Sequence, residues 1–153
     1  MSAYQQAVRL LARRSYGEQE LRQRLLRSDL LSRDEVDSAI DRCRAVGYLD
    51  DRRFVDQRIR HRFDQGYGPD PIRAELRQCG IADLLITEVM QELLLQFPVV
   101  MVARALWQRR LRGSSYRDDV KKQYAFLRRR GFDHETVCHV LADRADTEEF
   151  EDR

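Results

Sequence analysis

The sequence has few of the residues on which secreted, membrane-spanning or redox proteins depend. Its three cysteines, Cys43, Cys79 and Cys138, are odd in number and show no C-x-x-C spacing. This usage argues against a disulfide framework and indicates a reducing compartment. The N-terminal stretch has no apolar core of signal-peptide length, and the most apolar run, LLLQFPVVMVA, is too short to span a bilayer. We therefore expect a cytoplasmic protein.

Motifs for nucleotide hydrolysis are also missing. The seven glycines fall at expected turns, and neither G-x-x-x-x-G-K-[ST] nor G-x-G-x-x-G occurs. His134, Cys138 and His139 are the one metal-like group in the sequence, but a zinc site needs four ligands, or three and a water. No other cysteine or histidine pair lies nearby in sequence. We expect no metal, no cofactor and no enzymatic activity.

Lysine is almost absent, and charge is unevenly distributed. Of 28 basic residues, Lys121 and Lys122 are the two lysines. The planar fork of arginine suits phosphates and carboxylates, so the bias favours a binding surface, although a GC-rich genome explains it equally well. Ten basic residues and two acids lie from Arg104 to Arg130, while six acids and two bases follow from Asp143. We interpret this as a basic block with an acidic tail that competes for it; the alternative is a solvated face and a frayed terminus.

Strand patterns are nearly absent, whereas helical spacing recurs with a fixed period. YGEQELRQRL begins at Tyr16 and YGPDPIRAEL at Tyr67, and LRQCGI begins at Leu76 and LRRRGF at Leu127, each pair 51 residues apart. A fixed offset of this size is typical of a repeat array. The prediction is an all-α fold of three tandem three-helix, helix-turn-helix-like repeats in an elongated, curved array: residues 1–48, 49–96 and 97–145, followed by the acidic tail 146–153.

Helix starts account for several of the polar and acidic residues. Ser32, Asp50 and Asp133 are each expected to cap a helix, flanked by an apolar pair that fixes the entry of the chain. In GYLDDRRF, Asp50 is then a cap, and Asp51 meets the positive end of the helix dipole. The alternative is a carboxylate pair that performs hydrolysis. Capping accounts for both acids and their apolar neighbours, so we favour it.

Several stretches together resemble the RecX family of regulatory proteins: GYLDDRRF, YGEQELRQRL, QGYGPDPIRAEL and FLRRRGF. The resemblance covers nearly the whole chain. It implies an all-helical bacterial protein that binds the RecA recombinase and its filament on single-stranded DNA. It further implies suppression of strand exchange, ATP hydrolysis and stimulated repressor cleavage, and thus regulation of DNA repair and the SOS response. The runner-up is a helix-turn-helix-like DNA-binding protein that acts alone.

Candidate contact residues follow from helical spacing in the basic block. The helix near 99–112 places arginines opposite its apolar side, and the next helix turns Val120 inward and basic residues outward beside one aromatic ring. Such a stripe can follow a phosphate backbone and stack a base, and it equally suits an acidic protein surface. We favour binding over a plain solvated face; the alternative for Phe126 is packing against the neighbouring repeat. A second candidate is the turn around Tyr67, where Arg60, Arg62 and Arg73 flank the ring, although Tyr67 is better explained as a residue that packs before a helix start. We expect a monomer with these candidates: Arg52, Arg53, Arg73, Arg104, Arg112, Lys121, Lys122, Phe126, Arg129 and Arg130.

Overall fold

A computed structural model describes residues 1–111 and 119–151, with side chains at 1–110 and 119–143. That part of the chain contains nine α-helices and no β-strand, which confirms the prediction of tandem three-helix groups. The boundaries of the repeats and their curvature stay predictions. The helices are α1 Ala3–Leu11, α2 Glu18–Leu26, α3 Arg33–Ala45, α4 Asp51–Asp64, α5 Pro69–Gln78, α6 Asp83–Gln96, α7 Val99–Leu111, α8 Val120–Arg129 and α9 His134–Glu151.

Side-chain caps fix several helix starts. At α3, the Ser32 hydroxyl accepts the Glu35 N–H at 3.3 Å, and the Glu35 carboxylate accepts the Ser32 N–H at 2.8 Å. At α9, Asp133 Oδ1 accepts the Thr136 N–H at 2.7 Å. These hydrogen bonds favour the ionised carboxylates, and each lowers the pKa of the carboxyl that accepts it, Glu35 or Asp133. Each cap contributes about 1 kcal/mol to stability.

Two compact units make up the chain. The N-terminal unit contains Met1–Gln57 and Glu75–Val89, and the C-terminal unit contains Arg58–Ala74 and Met90–Arg153. Helices α4, α5 and α6 therefore each contribute residues to both units. Among the described residues, no single helix has the length and apolarity to cross a membrane; α6 and the following segment Val99–Arg110 pass such a test only as a pair bent by 67°.

The N-terminal unit has its own apolar core, built from the faces of α1, α2 and α3. Tyr16 precedes the Gly17 cap of α2 and is 8% exposed, and Leu21 on the first turn of that helix is fully buried. Both side chains belong to one apolar cluster. This contact is expected, because the residue before a helix cap commonly packs against the fourth residue of the helix. The cluster consists of Ala7, Tyr16, Leu21, Leu25, Val36, Ile40, Cys43 and Leu49.

The C-terminal unit encloses a second core and corrects one prediction on α8. Val120 was expected to face inward, but it is 53% exposed. Gln123 lies inside instead, 3% exposed, and its Oε1 accepts the Trp107 Nε1–H at 3.2 Å. The amide can be buried because it has this partner, while Val120 is the first residue of the helix. The core cluster is Ala103, Leu106, Leu127, Phe132, Val137 and Val140.

Asp51 joins the first helix group to the next one within the N-terminal unit. Helix α2 begins after Gly17, which has no side chain to cap it. Asp51, the first residue of α4, supplies the missing acceptor: its Oδ1 accepts the Glu18 N–H at 2.7 Å. In the next repeat the residue corresponding to Glu18 is Pro69, which has no N–H and requires no such partner.

A candidate basic and aromatic surface

Three helix ends in the C-terminal unit bring arginines and aromatic rings together. The end of α4 and its following turn supply Arg62 and Tyr67, and the ends of α7 and α8 supply the rest. We call this set the basic–aromatic surface. It consists of Arg62, Tyr67, Arg109, Arg110, Phe126 and Arg130.

Arg130 lies at the centre of this surface. Its Nη1 donates a hydrogen bond to the Gln65 carbonyl at 3.1 Å. Its guanidinium carbon lies 4.9 Å from the centroid of the Tyr67 ring and 5.6 Å from that of Phe126. A guanidinium within about 6 Å of a ring centroid is attracted by the negative face of the ring. One side chain thus connects the turn after α4 with the aromatic face of α8.

The other arginines surround the same two rings. The guanidinium carbon of Arg62 lies 5.7 Å from the Tyr67 centroid, and that of Arg110 lies 4.8 Å from the Phe126 centroid. Arg109 Nη1 donates to the Asp64 carbonyl at 3.0 Å. Asp64 is the last residue of α4, where helix carbonyls lack intrahelical partners and a positive charge is favourable. The carbonyl at the end of α4 therefore stabilises the positive charge of Arg109 at this surface.

Two glycines allow the surface to form. Gly68 directly follows Tyr67, and its N–H donates to the Arg130 carbonyl at 2.7 Å. A Cβ atom on Gly68 would lie 2.3 Å from the Gly131 carbonyl oxygen, far inside any van der Waals contact. The backbones of the two turns can approach this closely because neither residue has a side chain. This approach places the Tyr67 ring beside Arg130.

The remaining predicted contacts lie elsewhere in the structure. On α7, Arg104 forms an ion pair with Asp143 of α9, so it links two helices of one group. Lys121, Lys122 and Arg129 are exposed on α8, and Lys122 Nζ lies 3.6 Å from an Asp119 carboxylate oxygen. Arg112 lies outside the described residues.

The arginines of GYLDDRRF each contact another residue of the chain. Arg52 Nη1 lies 3.7 Å from Glu88 Oε2, and Arg53 Nη2 donates to the Gly47 carbonyl at 3.0 Å. Arg73, the third predicted contact outside the basic block, lies 3.4 Å from Asp70. Contact of any of these residues with a partner stays a prediction.

Asp50 and Asp51 accept hydrogen bonds from the starts of two different helices. Asp50 Oδ1 accepts the Arg53 N–H at 3.1 Å, as an N-cap does, whereas Asp51 points to the start of α2. Burial raises the pKa of Asp51, and the hydrogen bond from the Glu18 N–H opposes that rise. The two carboxylates therefore stabilise the starts of two different helices.

The His134 and Cys138 side chains do share a helix face. Cys138 Sγ lies 3.5 Å from His134 Nε2, and the Tyr124 hydroxyl lies 2.8 Å from His134 Nδ1. Among the described side chains there is no group of three or more His, Cys, Asp or Glu residues placed to hold a metal. The His134 ring contacts both Tyr124 and Cys138 at the junction of α8 and α9.

The sequence pattern separated residues that the fold brings together. Tyr67 and Arg62 belonged to one candidate stretch, and Phe126 and Arg130 to another, 59 residues or more along the chain. Arg109 and Arg110 lie in the basic block but are not among the predicted contact residues. Their position indicates this role, because both lie at the end of α7, where arginine can reach carbonyls at another helix end.

Comparison with known proteins identifies the family. Models of the first, second and third three-helix domains of RecX match residues 3–43, 50–90 and 101–141. The "Regulatory protein RecX" of Legionella pneumophila (strain Corby) is 36% identical over 144 residues, covering 92% of this chain and 93% of that protein. The one of Vibrio vulnificus (strain CMCP6) is 32% identical over 147 residues, covering 95% and 94%.

Solved structures show the same fold. The crystal structure of RecX from Lactobacillus salivarius has a TM-score of 0.74 at 19% identity, covering 92% of this chain and 93% of that one. A second crystal structure of regulatory protein RecX has a TM-score of 0.69 at 23% identity, covering 92% and 70%. The three domain matches and the whole-length relatives agree, and this chain belongs to the RecX family of regulatory proteins.

Proposed function

We propose that this protein is a non-enzymatic regulator that binds RecA and its filament on single-stranded DNA. In this proposal it mostly inhibits recombinase, ATPase and coprotease activity, and so tunes DNA repair and the SOS response. The membership in the RecX family carries the proposal, because the whole-length relatives are named regulatory proteins. We also propose that it acts as a monomer in the cytoplasm; none of its three cysteines forms a disulfide bond among the described residues.

The basic–aromatic surface supports this function. Its arginines present planar donors that match phosphate and carboxylate oxygens, and both groups occur on a protein filament wrapped around DNA. Its two rings offer faces on which bases or guanidiniums can stack. We place the contact with the nucleoprotein filament on this surface rather than on the exposed side of α8. The elongated, curved array predicted from the repeats would suit such a partner, and small-angle scattering tests that shape.

Charge reversal on the basic–aromatic surface should strongly weaken regulation. We expect the wild type to lower the DNA-dependent ATPase rate of RecA, and Arg62→Glu/Arg110→Glu to lose about tenfold or more in potency, since hydrogen bonds to charged groups contribute about 1.5–3 kcal/mol each. The measurement is ATP hydrolysis by RecA on single-stranded DNA against the concentration of the regulator. Thermal melts check that each variant is folded.

A matched variant separates the two candidate faces. Lys122→Glu/Arg129→Glu changes the net charge by the same amount on the exposed side of α8. Loss of potency in this variant alone would move the contact to α8. No effect of excess wild type on either growing or preformed filaments would refute the proposed function, and sequence-dependent duplex binding that ignores RecA would favour the DNA-binding alternative.

A further inference from the structure

A second basic site lies in the N-terminal unit. The C-terminal ends of α1 and α2 border a groove of about 590 Å³. No acidic residue lines it among the described residues. We call it the arginine groove. Its lining includes Arg9, Arg13, Arg24, Arg27, Leu10 and Leu25.

The guanidinium groups of this groove are not used to hold the fold together. None of the four arginines makes a side-chain hydrogen bond, ion pair or ring contact with any described residue. Other arginines of the unit are paired: Arg14 with Glu20 at 2.7 Å, Arg22 with Asp37 at 2.9 Å, and Arg44 with Glu18 at 2.7 Å. Acidic residues that pair with arginine are thus common in this unit, but none of them lines the groove among the described residues.

Helix dipoles account for only part of this charge. Arg9 and Arg24 lie in the last turns of their helices, where positive side chains are favourable. Each helix end contributes roughly half a negative charge, so two ends offset about one of the four positive charges. A net positive charge therefore remains in the groove.

The lining indicates the kind of anion. No aromatic residue lines the groove among the described residues, so it lacks the flat faces on which proteins stack single-stranded bases. It has Leu10 instead, a partly buried side chain against the core, with Leu25 beneath. Carboxylates meet arginine forks through paired hydrogen bonds, and an aliphatic side chain can pack on leucine. Its volume falls within the range of clefts that bind ligands in proteins.

We propose that the arginine groove binds an acidic, leucine-containing segment of a partner protein. This docking site is separate from the basic–aromatic surface and does not depend on that surface or on RecA as the partner. Acidic motifs are commonly held by clustered arginines in this way. The groove would give the regulator a second point of attachment, with an affinity that decreases as salt increases.

Peptide binding tests the site directly. The probe is a fluorescein-labelled synthetic peptide of repeated Glu-Glu-Leu, titrated with the full-length protein at low and high salt. We expect binding that weakens as the salt concentration rises. Arg24→Glu should raise the dissociation constant about tenfold, because one hydrogen bond to a charged group changes an affinity by about that factor. Arg33→Glu is the matched control, since Arg33 is exposed in the same unit and outside the groove. It should bind like the wild type.

Further arms decide against the alternatives. Arg9→Gln/Arg13→Gln removes charge from the other wall, without adding an acid, and should also weaken binding. No binding of the peptide at low salt, or equal binding of a Gln-Gln-Leu peptide, overturns the proposal. Equal loss in Arg33→Glu overturns it too, because net charge alone would explain the binding. If oligo(dT) displaces the peptide and Arg24→Glu weakens oligo(dT) binding equally, the groove is a nucleic-acid site and the proposal is wrong.

Discussion

Gly68→Ala should unfold this protein at a markedly lower temperature. The added Cβ would lie 2.3 Å from the Gly131 carbonyl oxygen and 2.9 Å from the Phe132 nitrogen, and these are backbone atoms held by α8 and its following turn. Overpacking against atoms that cannot rotate away should cost about 3 kcal/mol or more. For a chain of this length that is a decrease in melting temperature of roughly 6–12 °C. Thermal and urea unfolding measure it.

The sequence supplies a matched control for this substitution. Gly47 has a φ of +78°, and a Cβ placed there would meet no atom within 4 Å. Gly47→Ala therefore carries only the strain of a left-handed alanine, about 1–2 kcal/mol. Equal losses of stability in the two variants would show that the turns after α4 and α8 are not in the close contact described.

The same variant bears on function. Tyr67 directly precedes Gly68, and Arg130 directly precedes Gly131. A Cβ atom that forces these two turns apart therefore separates the Tyr67 ring from the Arg130 guanidinium. Gly68→Ala should therefore weaken regulation of RecA even at temperatures where it is folded. Gly47→Ala should regulate normally at the same temperatures, since Gly47 belongs to the N-terminal unit.

Local patterns made the helices predictable. Helix starts depend on residues close in sequence, and Ser32 and Asp133 each cap through an N–H three residues further on. The 51-residue offset gave the tandem arrangement, because each repeat buries equivalent positions. Val120 shows the limit of such patterns. Helical spacing assigns it to the core, but it is the first residue of its helix and is exposed, and Gln123 is buried instead because Trp107 supplies a hydrogen-bond partner for its amide.

The candidate surface depended on contacts that no local pattern contains. Tyr67 and Arg130 meet because two turns approach through glycine backbones, and that distance is a property of packing between helix groups. Counting charges along the sequence identifies the basic block, but it does not identify which arginines lie next to one another in the fold. Arg104 illustrates this, since its ion pair with Asp143 of α9 is a contact that charge counts along the sequence do not contain. Partner choice came from family resemblance rather than from chemistry visible in the residues.

Asp51 provides the other large effect on stability. Asp51→Ala removes the acceptor of the half-buried Glu18 N–H and should cost about 1–3 kcal/mol, because an unmet buried donor loses its hydration as well as its partner. Asp50→Ala removes an exposed cap and should cost about 1 kcal/mol. Asp51→Asn keeps an oxygen acceptor and should retain the stability that Asp51→Ala loses. If Asp51→Asn were as unstable as Asp51→Ala, the role of Asp51 would depend on its charge rather than on its hydrogen bond.

The pH dependence of these variants should have opposite signs at two helix starts. Burial raises the pKa of Asp51 in the folded protein, so the folded state holds the proton more tightly than the unfolded chain. Ionisation of Asp51 thus reduces stability as pH rises from the ordinary carboxyl pKa through the raised one. Asp51→Asn, which cannot ionise, should gain stability relative to the wild type over that interval.

Asp133 behaves in the other direction, because its hydrogen bond from the Thr136 N–H lowers its pKa in the folded state. Its contribution is present above the ordinary carboxyl pKa and is lost as pH decreases through the lowered one. Asp133→Asn should therefore be less stable than the wild type at neutral pH and approach it in acid. Urea unfolding of both variants and the wild type from pH 3 to pH 7 measures the two differences. Parallel curves for the two variants would contradict the assignment of Asp51 to a half-buried site and Asp133 to an exposed cap.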